Sequence, residues 1–233
     1  MNTIISAVAV PLGYILTFIY SIVGHYGVAL IFFTLVIRAI IFPLYAKQMK
    51  NSAKMSEIQP KMQELQKKYS NDKETLNAKM MELYSKEKFN PMAGCLPMLI
   101  QLPILWGLFS LLRNPSVYIP NNTEMWIAAH DGFFWITDLS QPDPWILPIL
   151  SGVCTYFSML LTQQQQSMAG SSASQMAPMM NMMKYVIPVM IVWMGRSFPA
   201  GLALYWFIST VFQILQTIFF NSRKKKQKAD KAY

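Results

Sequence analysis

The sequence predicts an all-α protein that crosses a membrane several times, with five transmembrane helices, a cytoplasmic helical hairpin and an N-terminal interfacial helix. Three observations carry that expectation. Hydrophobic residues make up 53% of the 233 and charged residues 13%, about half the globular share. The apolar residues fall in blocks of roughly 20, the length that a ~30 Å hydrocarbon core demands of a helix. The basic residues behind the net charge of +9 collect mainly between and after those blocks. The same composition excludes other classes. Cys95 and Cys154 lie inside apolar blocks and His25 and His130 stand alone, so no disulfide framework, zinc site or haem site is expected. Neither G-x-x-x-x-G-K-[ST] nor G-x-G-x-x-G occurs, which leaves no nucleotide-driven motor. No enzyme activity, cofactor or DNA partner is expected.

Residues 1–23 come first. They are apolar enough to span, but Pro11 and Gly13 interrupt the middle, and no Lys or Arg precedes them as in a signal peptide. They read as a helix lying on the outer face, with a sixth span as the alternative. Segment 24–46 holds span one, at 27–46. Segment 47–91 reads as a hairpin. Apolar residues recur at Ile58, Met62, Leu65 and Tyr69, and again at Leu76, Met80 and Leu83, each run on one helix face. Ser70-Asn71-Asp72 breaks the runs, Asn71 with Glu74 marks a helix start, Pro60 kinks the first arm and Asn90-Pro91 ends the second. Segment 92–221 holds four further spans, at 92–113, 145–163, 178–196 and 201–221. A basic tail, 222–233, closes the chain.

Basic loops stay on the cytoplasmic side. Segment 47–91 carries ten lysines and the tail six basic residues, while 114–144 has neither Lys nor Arg but has Glu124, Asp131, Asp138 and Asp143. The hairpin, the 164–177 loop and the C-terminus are therefore expected inside a bacterial plasma membrane, with 114–144 and the N-terminus outside. Trp126, Phe133, Phe134, Trp135 and Trp145 suit either an outer interface belt or loop packing. Arg196, near the outer end of span four, reads as structural.

Arg38 asks for a function. It sits nine residues from Lys47, about 13 Å inside the cytoplasmic edge at 1.5 Å per residue. An arginine there costs roughly 3 kcal/mol on insertion scales. None of the five spans contains an Asp or Glu to pair with it. Neutral polar groups do lie near its depth: Thr34 one turn away on the same helix, Gln101 in span two, Thr155 in span three and Gln213 in span five, with Ser158 and Gln216 a turn shallower. Backbone or interhelical hydrogen bonding would account for each singly. Together they point to a water-filled cavity open to the cytoplasm and closed above. It would draw in an anionic group. With no through-path, no cation-binding carboxylate and no nucleophile–base pair, it suits the handling of another polypeptide; a small-solute or anion transporter using Arg38 is the alternative. Eighteen methionines, crowded at Met49, Met55, Met62, Met80 and Met81 and at Met176, Met179, Met180, Met182 and Met183, supply thioethers able to repack against many partners.

Three blocks resemble a known family. YGVALIFFTLVIRAIIFPL is similar to the arginine-bearing span of the YidC/Oxa/Alb membrane protein insertases, FNPMAGCLPMLIQLPILWGLF to their second-span signature, and FPAGLALYWFISTVFQILQ to their last span. The resemblance covers roughly 24–226. It implies a hydrophilic groove open to cytoplasm and lipid, with Arg38 as the groove arginine and Gln101, Ser158 and Trp206 on or near groove positions. It further implies insertion and folding of nascent membrane proteins into the lipid bilayer, alone or beside the Sec translocon. The chain looks like the compact Gram-positive type, from which it departs in having no lipobox cysteine near its start. The tail residues Arg223, Lys224, Lys225, Lys226 and Lys228 serve as a topology signal that meets lipid headgroups, or contact the ribosome.

Overall fold

In hydrocarbon every backbone N–H and C=O must be satisfied within its own segment, so long apolar runs fold as helices. The computed structural model describes residues 2–90, 96–119, 123–167 and 177–230. Among them the helices are α1 (Asn2–Val23), α2 (Tyr26–Lys68), α3 (Lys73–Lys86), α4 (Leu96–Arg113), α5 (Pro115–Tyr118), α6 (Thr123–Ala128), α7 (Ile146–Ser167), α8 (Ala177–Gly195) and α9 (Ala200–Asp230). No strand occurs among the described residues, only an isolated bridge between Phe133 and Ile136. Ile5–Val23, Tyr26–Asn51 and Ala200–Ser222 are each long and apolar enough to cross a membrane, and Ile146–Thr162 and Lys184–Gly195 are shorter apolar stretches.

Three local expectations change. α1 runs unbroken through Pro11 and Gly13. α2 runs unbroken for 43 residues through Pro43 and Pro60, so the first hairpin arm continues the helix of span one. A proline removes one helical hydrogen bond, and the turns on either side can carry the helix past it. The cap of α3 is Asp72 rather than Asn71: its Oδ1 accepts from the Thr75 N–H at 3.0 Å. A carboxylate there also meets the positive end of the helix dipole. α3 folds back on α2 through a small cluster of Ile58, Met62 and Phe89, flanked by Met80, Leu83 and Tyr84. The exposed Lys61–Glu87 pair beside it adds little.

The main core joins α1, α2, α4 and α9 through Leu16, Leu30, Phe33, Leu108, Leu111 and Tyr205. Small residues let these helices approach. Val8 of α1 packs over Gly107, and Ile119 and Leu111 close over Gly13. α8 lies on α7, where a Cβ on Gly152 would run into Val192 and stand 3.1 Å from the Pro188 carbonyl. Close backbone approach of this kind supplies the packing contacts that hold helices together in lipid.

The segment between α4 and α7 ties together the helix ends above this core. Phe133 packs against Gly27, Gly201 N–H donates to Leu139 O at 2.9 Å, and Ala200 N–H donates to Gln141 O at 2.8 Å. Asp143 caps α7, accepting from the N–H groups of Trp145 (3.0 Å), Ile146 (3.1 Å) and Leu147 (3.2 Å) and from the Trp135 indole (2.8 Å). The Trp126 indole donates to Ile119 O, and the Arg196 guanidinium lies 4.0 Å from the Trp145 ring centroid.

Candidate functional site

α9 presents Tyr205, Ser209, Gln213 and Gln216-Thr217 at spacings of four, four and three, and so on one face. α7 presents Ser151, Thr155, Ser158 and Thr162 in the same way. The two stripes meet: Ser151 Oγ donates to Ala203 O at 3.3 Å, and the Trp206 indole donates to Thr155 Oγ1 at 3.2 Å. α2 adds Arg38, whose Nε donates to Ser209 Oγ at 2.7 Å, and Tyr45, whose hydroxyl lies 2.6 Å from Thr217 Oγ1. α4 adds Gln101, whose amide donates to the Tyr205 hydroxyl at 3.1 Å. The result is a polar seam through four helices, with α9 in the middle.

Arg38 is the one guanidinium in the seam. It has no carboxylate partner among the described residues, and its hydrogen bond to Ser209 uses one of five N–H groups. The phenols of Tyr205 and Tyr45 lie near it. Such a group in a low-dielectric layer is stable only if water or an anion completes its coordination. Gln216 makes the same demand. It is 8% exposed, and among the described residues neither its amide nitrogen nor its oxygen has a partner. An amide left so costs about 1–3 kcal/mol unless something else bonds it.

The expected site residues fare differently. Arg38, Gln101, Thr155 and Trp206 are brought into contact with the seam's other polar groups, and Gln216 lies on its α9 face. Gln213 is half-buried, and its carbonyl accepts from Thr217 Oγ1 at 2.8 Å. Thr34 is fully enclosed, with its hydroxyl given to Leu30 O at 2.7 Å, so it offers the seam nothing. Ser158 is buried on the α7 stripe, and its carbonyl accepts from Thr162. The side chains of Arg223, Lys224, Lys225, Lys226 and Lys228 lie outside the described residues, as do those of Met55, Met176, Met179, Met180 and Met183. Ser209, Tyr205, Tyr45 and Thr217 are the partners that sequence reasoning missed. The four-residue spacing of Tyr205, Ser209 and Gln213 was the available signal.

Among the described residues α8 packs chiefly on α7 and α4 chiefly on α1, with no comparable packing between α4 and α8. Among the described residues no cluster of His, Cys, Asp or Glu could hold a metal ion.

The model of the 60Kd inner membrane protein family matches residues 18–228. The chain belongs to the YidC insertase family. A relative named membrane protein insertase YidC, from Caldanaerobacter subterraneus subsp. tengcongensis, is 38% identical over 97% of this chain and 99% of its own length. Another of that name, from Geobacter sulfurreducens, is 38% identical over 91% of this chain but only 37% of its own length. The structure is also similar to a crystal structure of an active YidC insertase with its first transmembrane domain resolved. That match has a TM-score of 0.63 and 30% identity, and it covers 91% of this chain and 45% of the other. The relatives that the chain matches are named membrane protein insertases, which favours the handling of a polypeptide over the transport of a small solute.

Proposed function

We propose that this chain inserts nascent membrane proteins by taking their polar extracellular segments part-way across in the seam around Arg38. The single observation that carries the reading is an arginine without a carboxylate, bonded to Ser209 between α2 and α9. Five spans fit the proposal: the apolar part of α2, then α4, α7, α8 and the apolar part of α9. The hairpin of 47–91 and the tail of 222–233 then lie in the cytoplasm and the 114–144 cap outside. α1 lies at the outer interface. Its Val8 packs over Gly107 and its Gly13 against Leu111 and Ile119, so α1 meets the outer half of α4.

The mechanism needs no nucleotide. Arg38 and the seam's hydroxyls and amides hold water within the inner half of the bilayer. The apolar barrier that a polar segment must cross is thereby shortened. The membrane potential adds about 2.3 kcal/mol per charge per 100 mV for acidic segments moving outward. The substrate's apolar helix leaves sideways, driven by burial of its own surface in lipid. Purified protein in otherwise protein-free liposomes is expected to insert a small two-span substrate and protect its loop from protease. Insertion no faster than in empty liposomes would overturn the reading.

The tail belongs to the same proposal. Its basic residues contact ribosomal RNA and keep the nascent chain near the seam, and the Sec translocon is a second partner for larger substrates. Phosphate contacts weaken steeply with salt. Ribosome co-sedimentation of the detergent-solubilised chain is therefore expected to fall at high salt and to weaken in a chain ending at Ser222. Equal binding by the truncated chain would leave the tail a topology signal.

A further inference from the structure

Four apolar stretches stop together at one end of the bundle. Those of α2, α7 and α9 begin there, at Tyr26, Ile146 and Ala200, and that of α8 ends there, at Gly195. Contacts between the helices put these ends side by side. Leu30 of α2 lies against Gly201 of α9, Ser151 of α7 bonds Ala203 of α9, and Gly195 of α8 stands against Pro148 of α7. This is the level at which hydrocarbon gives way to lipid headgroups.

Arg196 follows α8 directly at that level. It is exposed and makes no ion pair among the described residues. Its guanidinium carbon sits 4.0 Å from the centroid of the Trp145 ring, which holds the charge from one side by a cation–π contact. Beneath it an open apolar groove of about 420 Å³ runs along α8, lined by Tyr185, Val186, Val189, Met190 and Trp193. The groove is not the face that packs on α7, because Pro188 and Val192 meet Gly152 there. Val189 is 68% exposed and Trp193 72%. Residues 185, 189, 193 and 196 follow one another at spacings of four, four and three, so Arg196 continues the line of the groove past the last turn. From Tyr185 to Trp193 the groove is about 12 Å long at 1.5 Å per residue.

We infer that this is a phospholipid site, in which Arg196 holds the headgroup phosphate and the α8 groove takes an acyl chain. A planar guanidinium matches phosphate oxygens two at a time, and the chain gains dispersion contacts with the groove walls. The stacked indole fixes the guanidinium before the lipid arrives. A polypeptide helix is the poorer occupant. It brings an anion to Arg196 only if its sequence places one there, whereas every phospholipid carries a phosphate at this level. The site shares no residue with the seam around Arg38, so its test is independent of the function proposed above.

The full-length chain in a neutral detergent is titrated with dioleoyl phosphatidylglycerol, and bound lipids are counted by native mass spectrometry. Wild type is expected to take up one lipid more tightly than any further ones. Arg196→Gln is expected to weaken that first binding about tenfold, the loss of one charge-assisted pair. Arg196→Lys is expected to weaken it less, because the charge survives without the planar fork. Val189→Trp fills the groove at an exposed position and is expected to weaken the first binding with the charge intact. Inorganic phosphate in large excess is expected to leave the lipid bound. Equal binding by wild type and Arg196→Gln would overturn the phosphate contact and the site with it. Equal binding by Val189→Trp would overturn the groove and leave Arg196 an ordinary interface arginine. Displacement of the lipid by inorganic phosphate would reduce the site to one for anions, and displacement by a synthetic single-span peptide would give the groove to polypeptide instead.

Discussion

Arg38→Ala is expected to slow insertion of substrates with acidic extracellular segments by roughly 10- to 100-fold, the loss of a charge-assisted interaction of about 1.5–3 kcal/mol. Substrates with neutral segments are expected to slow much less, because the seam's hydroxyls and amides still hold water. Arg38→Lys keeps the charge but not the planar fork that bonds Ser209 through Nε. It is expected to retain most of the acidic-substrate rate. The measurement is protease protection of a substrate series with zero, one and two carboxylates, inserted into liposomes by wild type and both variants. A deficit in Arg38→Ala that is the same across the series would mean that Arg38 shapes the seam and does not attract charge. Loss of the folded, monodisperse protein in both variants would make it structural.

Arg38 was legible because charge is scarce in the apolar blocks: an arginine deep in its span, with no acid in any span, admits few explanations. Its depth, and so the search for polar groups near the same depth, followed from helix rise alone. What the sequence could not give was who bonds whom. Thr34 shares a face with Arg38, yet its hydroxyl turns back to Leu30 O, as threonine in a membrane helix often does. Ser209 looked unremarkable because serine is common in such helices, and only the packing of α2 on α9 makes it the arginine's partner. The unbroken course of α2 through Pro60 was hidden for a similar reason. The proline there reads as a kink in a separate hairpin arm, and the packing of Ile58 and Met62 on Phe89 stabilises the helix on either side.

Asp143→Ala is expected to cost about 2–4 kcal/mol of stability, the combined effect of losing a helix cap and leaving buried donors unpaired. Asp143 is 5% exposed and its carboxylate accepts four N–H groups, two from the first turn of α7, one from Trp145 just before it and one from the Trp135 indole. Without it the α7 start loosens, and with it the register that places Thr155 under Trp206. Burial alone would raise the Asp143 pKa. The Trp135 indole and the N–H groups of Trp145, Leu147 and Ile146 outweigh burial and hold it below the usual carboxylate range. A carboxyl depressed on folding stabilises the folded state fully above its unfolded pKa of about 3.9, and that contribution is lost as pH falls through the lower folded value. The difference in unfolding midpoint between wild type and Asp143→Asn, measured in detergent, should therefore be constant from pH 7 to about 5 and shrink below about 4. Asn keeps one acceptor oxygen, so its deficit at neutral pH should be smaller than that of Ala. A difference that stays flat down to pH 3 would show that the cap does not depend on the charge. No difference at neutral pH would mean that contacts such as Phe133 on Gly27 and Leu139 on Gly201 fix α7 without Asp143.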